Sequence, residues 1–204
     1  SRRQLVPFAA LSASYFAHIG FFNPYLPLWL KELGFSILAI SLLTSVQAAT
    51  RLFAPYGWGA ISDHTGERVK LLRYGATVAL VSSLGLWLDF ESSYGVWWLT
   101  AVLLVMFTHT SSMIDARRYG RVRLWGSLGF LVTVFAAGSW FEVFGMRHFP
   151  AWTFLSLLAV TVSVWLLPDL KEAVHVDDEK LPVLPILRQR AVQWFLAAAF
   201  FHVM

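Results

Sequence analysis

The sequence contains no cysteine among its 204 residues, so it can form neither a disulfide bond nor a thiolate metal site. It also has few charges: 14% of its residues are charged, against roughly 25% in ordinary soluble domains. It lacks a Walker-type phosphate loop, an H-E-x-x-H zinc pair and a G-x-S-x-G nucleophile turn. These absences argue against an enzyme, and no metal or cofactor is expected.

Hydrophobic residues make up 57% of the chain, including 10 tryptophans and 17 phenylalanines. They occur in uninterrupted runs of about 20 residues, the length that crosses a bilayer as a helix. A pI near 9.6 would suggest nucleic acid as a partner of a soluble chain, but in a membrane protein basic loops set the orientation. The sequence therefore predicts an integral membrane protein surrounded by the lipid bilayer, with no nucleic-acid partner.

The apolar runs predict an all-α, polytopic bundle of six transmembrane helices and the start of a seventh. The six predicted spans are Leu5 to Leu30, Ile37 to Ile61, Leu71 to Leu88, Val96 to Met113, Val122 to Phe141 and Phe149 to Leu167. Residues 1–167 are thus expected to form a six-helix bundle, and the charged, proline-containing residues 168–190 a cytosolic linker. Residues 191–204 begin a seventh span, so the chain is expected to be the N-terminal half of a larger protein, or a sequence that stops early.

Lysine and arginine are distributed unequally between the two sets of loops. One set carries Arg2, Arg3, Arg68, Lys70, Arg73, Arg117, Arg118, Arg121, Arg123, Lys171, Lys180, Arg188 and Arg190. The opposite set has only Lys31 and Arg147, and Arg51 lies inside the second span. Because cytosolic loops hold the excess of basic residues, the N-terminus and the linker are predicted to be cytosolic.

Arg51 lies about ten residues, or roughly 15 Å, inside the second span. With Thr44, Gln47 and Pro55 it recurs at intervals of three and four residues, so these positions share one face of a helix. Ionisable residues at such depth tend to face a bundle interior or an aqueous cavity. Two interpretations stay open: Arg51 and Gln47 bind a solute, or Arg51 pairs with an acid on a neighbouring helix and holds the bundle together.

His18 and Asn23 are polar residues among the aromatic side chains of the first span. An imidazole inside a membrane is a candidate proton carrier, and both residues are candidates for solute binding. The alternative is a neutral histidine that is hydrogen-bonded to a nearby hydroxyl. Pro24 and Pro27 remove backbone donors and are expected to bend or loosen the outer end of this helix.

A polar reversal separates the second and third spans on the predicted cytosolic side. It resembles the signature loop of the major facilitator superfamily, G-x-x-x-D-(R/K)-x-G-(R/K)-(R/K), and the matching residues are Gly59, Asp63, Gly66 and Arg68. His64 and Glu67 depart from the pattern, since each stands where the pattern has an arginine or a lysine.

Gly66 is predicted to adopt a positive φ. Asp63 lies where the helix dipole disfavours negative charge and needs a partner such as Arg68 or the N-terminus of another helix. The four matching residues are therefore predicted to form a conformational latch, and a simple helix connector is the alternative.

The stretch Tyr119 to Phe130 is similar to the start of the fifth span in the lactose permease-like proton symporters, and closer still to their phenylpropionate permease-like branch. That resemblance implies that Arg123 binds the substrate, because it falls at the position of the sugar-binding arginine. The stretch also contains small residues that permit close helix packing, namely Gly126, Ser127 and Gly129.

The lactose permease-like group usually has a longer, acid-containing segment where this chain runs from Met113 to Ile114. The coupling acid is therefore unidentified, and the junction is either a tight loop or the place of a missing segment.

These resemblances imply a secondary active transporter that moves a small organic solute, such as an aromatic acid, sugar or nucleoside, together with protons. It would work by alternating access against a C-terminal half, and it is expected in a bacterial inner membrane. Two other classes stay open. A non-transporting scaffold or sensor would leave Arg51 facing lipid or locked in a dry ion pair, and a lipid flippase would need an apolar lateral opening.

Overall fold

The computed structural model describes the backbone of residues 2–88, 94–113 and 123–169, and the side chains of residues 6–88, 95–113 and 125–169. Those ranges contain six α-helices and no strand. The α-helices are α1 (Arg2–Glu32), α2 (Ile37–Thr65), α3 (Arg68–Ser83), α4 (Tyr94–Thr110), α5 (Arg123–Phe144) and α6 (Phe149–Trp165). Short 3-10 helices follow α3 (Leu84–Trp87) and precede α6 (Met146–His148). The described residues all belong to one compact unit, Ser1–Glu172.

Five of the described helices, α2 to α6, are long and apolar enough to cross a membrane, some of them when counted with their adjoining 3-10 turns. α1 has 31 residues and so extends about 46 Å, more than the roughly 30 Å of a hydrocarbon core. The predicted all-α bundle is confirmed. The seventh span at residues 191–204 and the linker beyond Asp169 lie outside the described residues.

The polar loop predicted between the second and third spans is much shorter in the structure. α2 continues to Thr65 and α3 begins at Arg68, so only Gly66 and Glu67 separate the two helices. Gly66 ends α2 with a φ of 65°, a conformation in which glycine has no steric penalty. Its N–H donates to the Ser62 carbonyl over 2.8 Å. The positive φ predicted for Gly66 is confirmed, whereas the longer reversal was wrong, because backbone hydrogen bonding continues through these polar residues.

α1 remains helical through Pro24 and Pro27. The chain turns only at Gly34, which has a φ of 87°. The N–H of Phe35 donates back to the Leu30 carbonyl over 3.1 Å, as in a glycine-terminated helix end. The prolines therefore do not interrupt the helix.

α1 lies at the centre of the bundle and packs chiefly on α5 and α6. Two glycines of α5 allow a close approach. A Cβ at Gly126 would lie 2.5 Å from a ring carbon of Phe16, and a Cβ at Gly129 would overlap the backbone carbonyl of Ala13. The close packing predicted for the small residues of the fifth span is thus confirmed at both glycines.

An aromatic cluster fixes α1 against α6. Trp29 stacks on Phe149 with the ring centroids 5.0 Å apart, and Phe22 lies 5.3 Å from the same ring. All three side chains are buried, as is Phe21 beside them. Large aromatic rings in such contacts contribute strongly to packing, so this side of α1 is held along most of its length.

Arg73 joins α3 to the end of α6. Its guanidinium pairs with Asp169 over 2.8 Å, donates to the Leu167 carbonyl over 2.9 Å and lies 5.2 Å from the centroid of the Trp165 ring. Leu167 and Asp169 lie just after the end of α6 at Trp165. Arg73 therefore holds the segment that follows α6 and fixes the point at which the chain leaves the bundle.

Candidate functional site

A polar pocket opens between α1, α2 and α4. Its cavity volume is about 30 Å³, and its empty space, including the open mouth, is about 370 Å³. The side chains that line it are Tyr15, His18, Ile19, Phe22 and Asn23 of α1, Gln47, Thr50 and Arg51 of α2, Phe107 and Thr110 of α4, and Ser111 directly after α4. Small-molecule sites typically combine apolar and aromatic walls with a few convergent polar groups. This pocket has both components, and it contains four of the five residues that the sequence analysis assigned to the substrate.

Arg51 lines the pocket from α2, four residues after Gln47. Its side chain is exposed, and it makes no hydrogen bond or ion pair with any residue in the described ranges. An arginine at this depth is costly unless it reaches water or a partner, and the mouth of a polar pocket supplies water. Of the predicted polar face, Thr44 and Pro55 do not line the pocket. Arg51 therefore lies at the pocket, and no acid of the described ranges pairs with it.

The amides of Asn23 and Gln47 connect α1 to α2 across the pocket. Gln47 Nε2 donates to Asn23 Oδ1 over 2.6 Å. The two helices otherwise touch little, so this bond is a main link between them. The sequence analysis assigned both residues to the substrate but did not pair them. Their separation of 24 positions gives no local signal of contact.

His18 is almost fully buried, with 4% of its surface exposed. Its Nδ1 lies 2.8 Å from the Ser156 hydroxyl of α6, and its ring lies 5.3 Å from that of Phe22. The alternative of a histidine bonded to a hydroxyl is therefore confirmed as a contact. Ser156 was missed because it is one of four serine and threonine residues of α6, and the sequence does not distinguish it from the other three.

Three hydroxyl residues of the pocket were also missed. Thr50 carries a signal that would have identified it, because it follows Gln47 by one helical turn. Thr110 and Ser111 belong to the polar end of α4, and only the packing of α4 against α2 brings them to the pocket.

Comparison with known proteins agrees with this architecture. Residues 10–204 match the family described as MFS_1 like. The chain belongs to that family. The resemblance to major facilitator transporters, drawn from the signature loop and the fifth span, is thereby confirmed at the level of the family.

The MFS_1-like chain has relatives among curated transporters. It is 32% identical over 146 residues to an uncharacterized transporter, YwbF, of Bacillus subtilis (strain 168), which covers 64% of this chain and 36% of the relative. It is 28% identical over 172 residues to a probable 3-phenylpropionic acid transporter of Escherichia coli (strain K12), covering 76% and 42%. It is 30% identical over 138 residues to a maltose permease of Geobacillus stearothermophilus, covering 60% and 34%. The chain thus spans less than half the length of each relative. No solved structure matches it.

The fifth predicted substrate residue of this MFS_1-like chain is Arg123. It is the first residue of α5, but its side chain lies outside the described residues. Of the junction between Met113 and Ile114, Met113 is described and Ile114 is not. The structure therefore does not test whether Arg123 reaches the pocket.

The signature loop of this MFS_1-like chain lies apart from the pocket, at the end of the bundle where α2 meets α3. Asp63 is exposed, and in the described ranges it makes no hydrogen bond or ion pair. Glu67 pairs with Lys70 over 2.6 Å, and Arg68 lines a small crevice between α2, α3 and the end of α4. The described residues thus leave Asp63 without the partner that the sequence analysis expected. Gly59 lies within α2, one turn before Asp63.

Proposed function

We propose that this chain forms the N-terminal half of a secondary active transporter, which moves a small organic solute across a bacterial inner membrane. The observation that carries the proposal is the polar pocket in a bundle that is otherwise apolar. Transporters built from two related halves hold the solute near the middle of the membrane, between the halves. His18, Asn23, Gln47 and Arg51 are the described side chains that would bind it, and Arg123 joins them by resemblance.

A second half is part of the proposal because two helices leave most of their apolar surface uncovered. In the membrane-crossing windows of α2 and α5, 11% of the residues are buried, against 33–50% in α3, α4 and α6. Exposed apolar residues of α2 include Phe53 and Tyr56, at 75% and 80%. A C-terminal six-helix half would cover part of this surface, and lipid would cover the rest.

Asp63 fits a latch between the two halves. With the N-terminus in the cytosol, Asp63 lies at the cytosolic end of α2, where the helix dipole disfavours its charge. It is exposed and unpaired within the described ranges. The positive N-terminus of a helix in the other half would supply the missing partner when the cytosolic side is closed. Gly59, Gly66 and Arg68 would shape the turn that presents it.

The names of two relatives indicate the kinds of solute to test. One relative is a probable 3-phenylpropionic acid transporter and another is a maltose permease. Arg51 favours an acid, because a guanidinium forms charge-assisted and often bidentate hydrogen bonds with a carboxylate. Aromatic walls from Phe22 and Phe107 suit the carbon body of such a solute.

The alternatives receive less support. A scaffold or sensor would leave Arg51 against lipid or in a dry ion pair, but Arg51 lines a polar pocket. An apolar groove does lie between the end of α3 and α4, as a flippase would need. Its lining is almost wholly apolar, and the Trp98 N–H beside it already donates to Gly85 over 2.9 Å. It therefore offers little to a polar lipid headgroup.

The proposal is tested by uptake into proteoliposomes that contain the complete protein. Labelled 3-phenylpropanoate, maltose and uridine represent the three solute classes. Arg51→Ala and Arg123→Ala should each lower uptake of the transported solute by about tenfold or more, because a hydrogen bond to a charged group contributes roughly 1.5–3 kcal/mol. Arg147→Ala is the matched control, since Arg147 is exposed at the end of the bundle away from the signature loop, and it should transport normally. Uptake that survives both pocket substitutions would contradict the site.

Proton coupling is tested in the same vesicles. An inward proton gradient should drive accumulation of the solute above its external concentration, and a protonophore should abolish that accumulation. Equal uptake with and without the gradient would leave facilitated diffusion as the mechanism and remove symport from the proposal.

A further inference from the structure

The hydrogen bonds around His18 assign the proton of its neutral ring. Ser156 Oγ lies 2.8 Å from His18 Nδ1 and 2.9 Å from the Thr153 carbonyl. A hydroxyl has one proton to donate, and a carbonyl can only accept. Both contacts are hydrogen bonds when Ser156 donates to Thr153 and accepts from His18 Nδ1–H. The other tautomer would leave two oxygens 2.9 Å apart without a proton between them.

The Nε2 atom of His18 is therefore left as an acceptor. The ring is held in place by Phe21 and Phe22, whose centroids lie 6.0 and 5.3 Å away, and His18 is one of the residues that line the pocket. A fixed ring with a proton on Nδ1 presents a lone pair at Nε2, and this lone pair needs an N–H or O–H donor.

The amide pair adds an acceptor oxygen and several N–H donors. Because Gln47 Nε2 donates one of its two N–H groups to Asn23 Oδ1, Gln47 Oε1 remains as an acceptor, and Asn23 Nδ2 and the second N–H of Gln47 remain as donors. Neither Gln47 Oε1 nor Asn23 Nδ2 has a partner in the described ranges.

The hydroxyls of the pocket add further acceptors. Each donates its proton to a carbonyl of its own helix: Thr50 to Gln47 over 2.9 Å, Thr110 to Met106 over 2.9 Å, and Ser111 to Thr108 over 2.6 Å. With these bonds in place, the three oxygens can only accept. The Tyr15 hydroxyl can either donate or accept a hydrogen bond, so it is counted neither with the donors nor with the acceptors.

The pocket thus has one cation and several polar atoms that can only accept. Its free donors among the described residues are the Arg51 guanidinium, Asn23 Nδ2 and the second N–H of Gln47 Nε2, and no acid of the described ranges lines it. A solute that offers only acceptors, such as a plain carboxylate on a hydrocarbon body, would satisfy Arg51 and leave His18 Nε2 unpaired. A solute that excludes water from this nitrogen without donating to it would lose a hydrogen bond, at a cost of about 1–3 kcal/mol.

We propose that the solute is an organic anion that also carries a hydroxyl group, with the anion bound by Arg51 and the hydroxyl donating to His18 Nε2. This inference rests on the proposed function, since it names the solute class of the same pocket. His18 then selects among organic acids instead of only filling space between α1 and α6.

The test compares matched acids that differ by a hydroxyl. The probes are 3-phenylpropanoate with its three ring-hydroxylated isomers, and hexanoate with 6-hydroxyhexanoate. The measurement is the Kd for the purified complete protein. The wild type should bind at least one hydroxylated acid roughly tenfold more tightly than its parent acid, the ratio expected for one well-placed hydrogen bond.

Two substitutions at His18 separate its two nitrogens. In His18→Asn, the amide lies near the former Nδ1 position and keeps the contact with Ser156, but no atom replaces the acceptor Nε2. Gln places an amide oxygen near the Nε2 position. His18→Asn should therefore reduce the Kd ratio to near one, whereas His18→Gln should retain part of the preference. Equal ratios in wild type and His18→Asn would overturn the inference.

Ser156→Ala is a second variant that does not alter any pocket-lining residue. It frees the ring to adopt the other tautomer, so the preference for the hydroxylated acid should fall while the parent acid binds as before. Nitrogen-15 chemical shifts of labelled histidine should show the Nδ1–H form in wild type, and an Nε2–H form there would also overturn the inference.

The outcomes distinguish this inference from the proposed function. If no acid binds, or if Arg51→Ala leaves binding unchanged, the proposed site is wrong. If Arg51→Ala abolishes binding but the hydroxyl makes no difference, the site stands and the role of His18 is wrong.

Discussion

The two sides of α1 are built differently. Toward α5 and α6 the helix is closely packed: glycines admit the backbone and side chains of their neighbours, and aromatic rings stack around Phe149. Toward α2 it makes few contacts, and the bond from Gln47 to Asn23 spans an open pocket. One helix therefore carries a face that excludes water and a face that keeps polar atoms free.

This difference indicates a division of labour. Close packing has little tolerance for change, because an added methyl group meets backbone atoms that cannot move away cheaply. A loosely packed polar face costs stability but leaves groups such as Asn23 and Arg51 available to a ligand. Substitutions on the packed side should therefore act on folding, and substitutions on the open side on binding.

The largest effect is expected at the α1–α5 contact. Gly129→Ala should destabilise the protein by about 3 kcal/mol, because the new Cβ would overlap the Ala13 carbonyl. Intrinsic helix propensity alone would favour alanine by roughly 1 kcal/mol. A measured loss of stability must therefore come from the packing of α5 against α1. The measurement is the melting temperature of the purified protein in detergent.

Gly57→Ala in α2 is the matched control, since nothing lies within 4 Å of its Cβ position in the described part of the chain. It should be neutral or slightly stabilising. If both alanine substitutions lower the melting temperature equally, close packing on α5 does not distinguish the two sides of α1.

A smaller effect is expected at Arg73, at the end of the packed side. Arg73→Met keeps the apolar stem but removes the bonds to Leu167 and Asp169, and it should cost about 2 kcal/mol. Asp169→Asn should cost at most about 1 kcal/mol, because the carboxylate is 72% exposed and exposed ion pairs contribute little. Thermal unfolding of the two variants measures the difference. Equal losses would mean that the ion pair with Asp169, and not the hydrogen bond to the Leu167 carbonyl, is the main contribution of Arg73.

The sequence was sufficient for the helices and for the polar face of the pocket. Runs of apolar residues predict spans because lipid offers no hydrogen bonds to an open backbone. Arg51, Gln47, Asn23 and His18 stood out because polar residues are rare in such runs, and all four line one pocket.

The pairings could not be predicted, because they depend on how helices distant in sequence meet. His18 and Ser156 are 138 positions apart, and nothing local to either residue indicates the other. The loop between α2 and α3 was predicted too long for a different reason. Polarity marks where a chain leaves the membrane, but a helix ends where its capping geometry allows, here at Gly66.

The smallest stability effect is expected on the open side, at the bond between Asn23 and Gln47. A double-mutant cycle of Asn23→Ala and Gln47→Ala should give a coupling energy of about 1 kcal/mol or less, because water in the pocket can replace the lost amide. Each single variant should nevertheless weaken solute binding, since each removes a free polar atom from the pocket wall. Melting temperatures and Kd values of the four proteins measure both quantities. A coupling energy as large as the loss at Gly129, with unchanged binding, would make the amide pair a structural clamp and would remove the distinction between the two faces of α1.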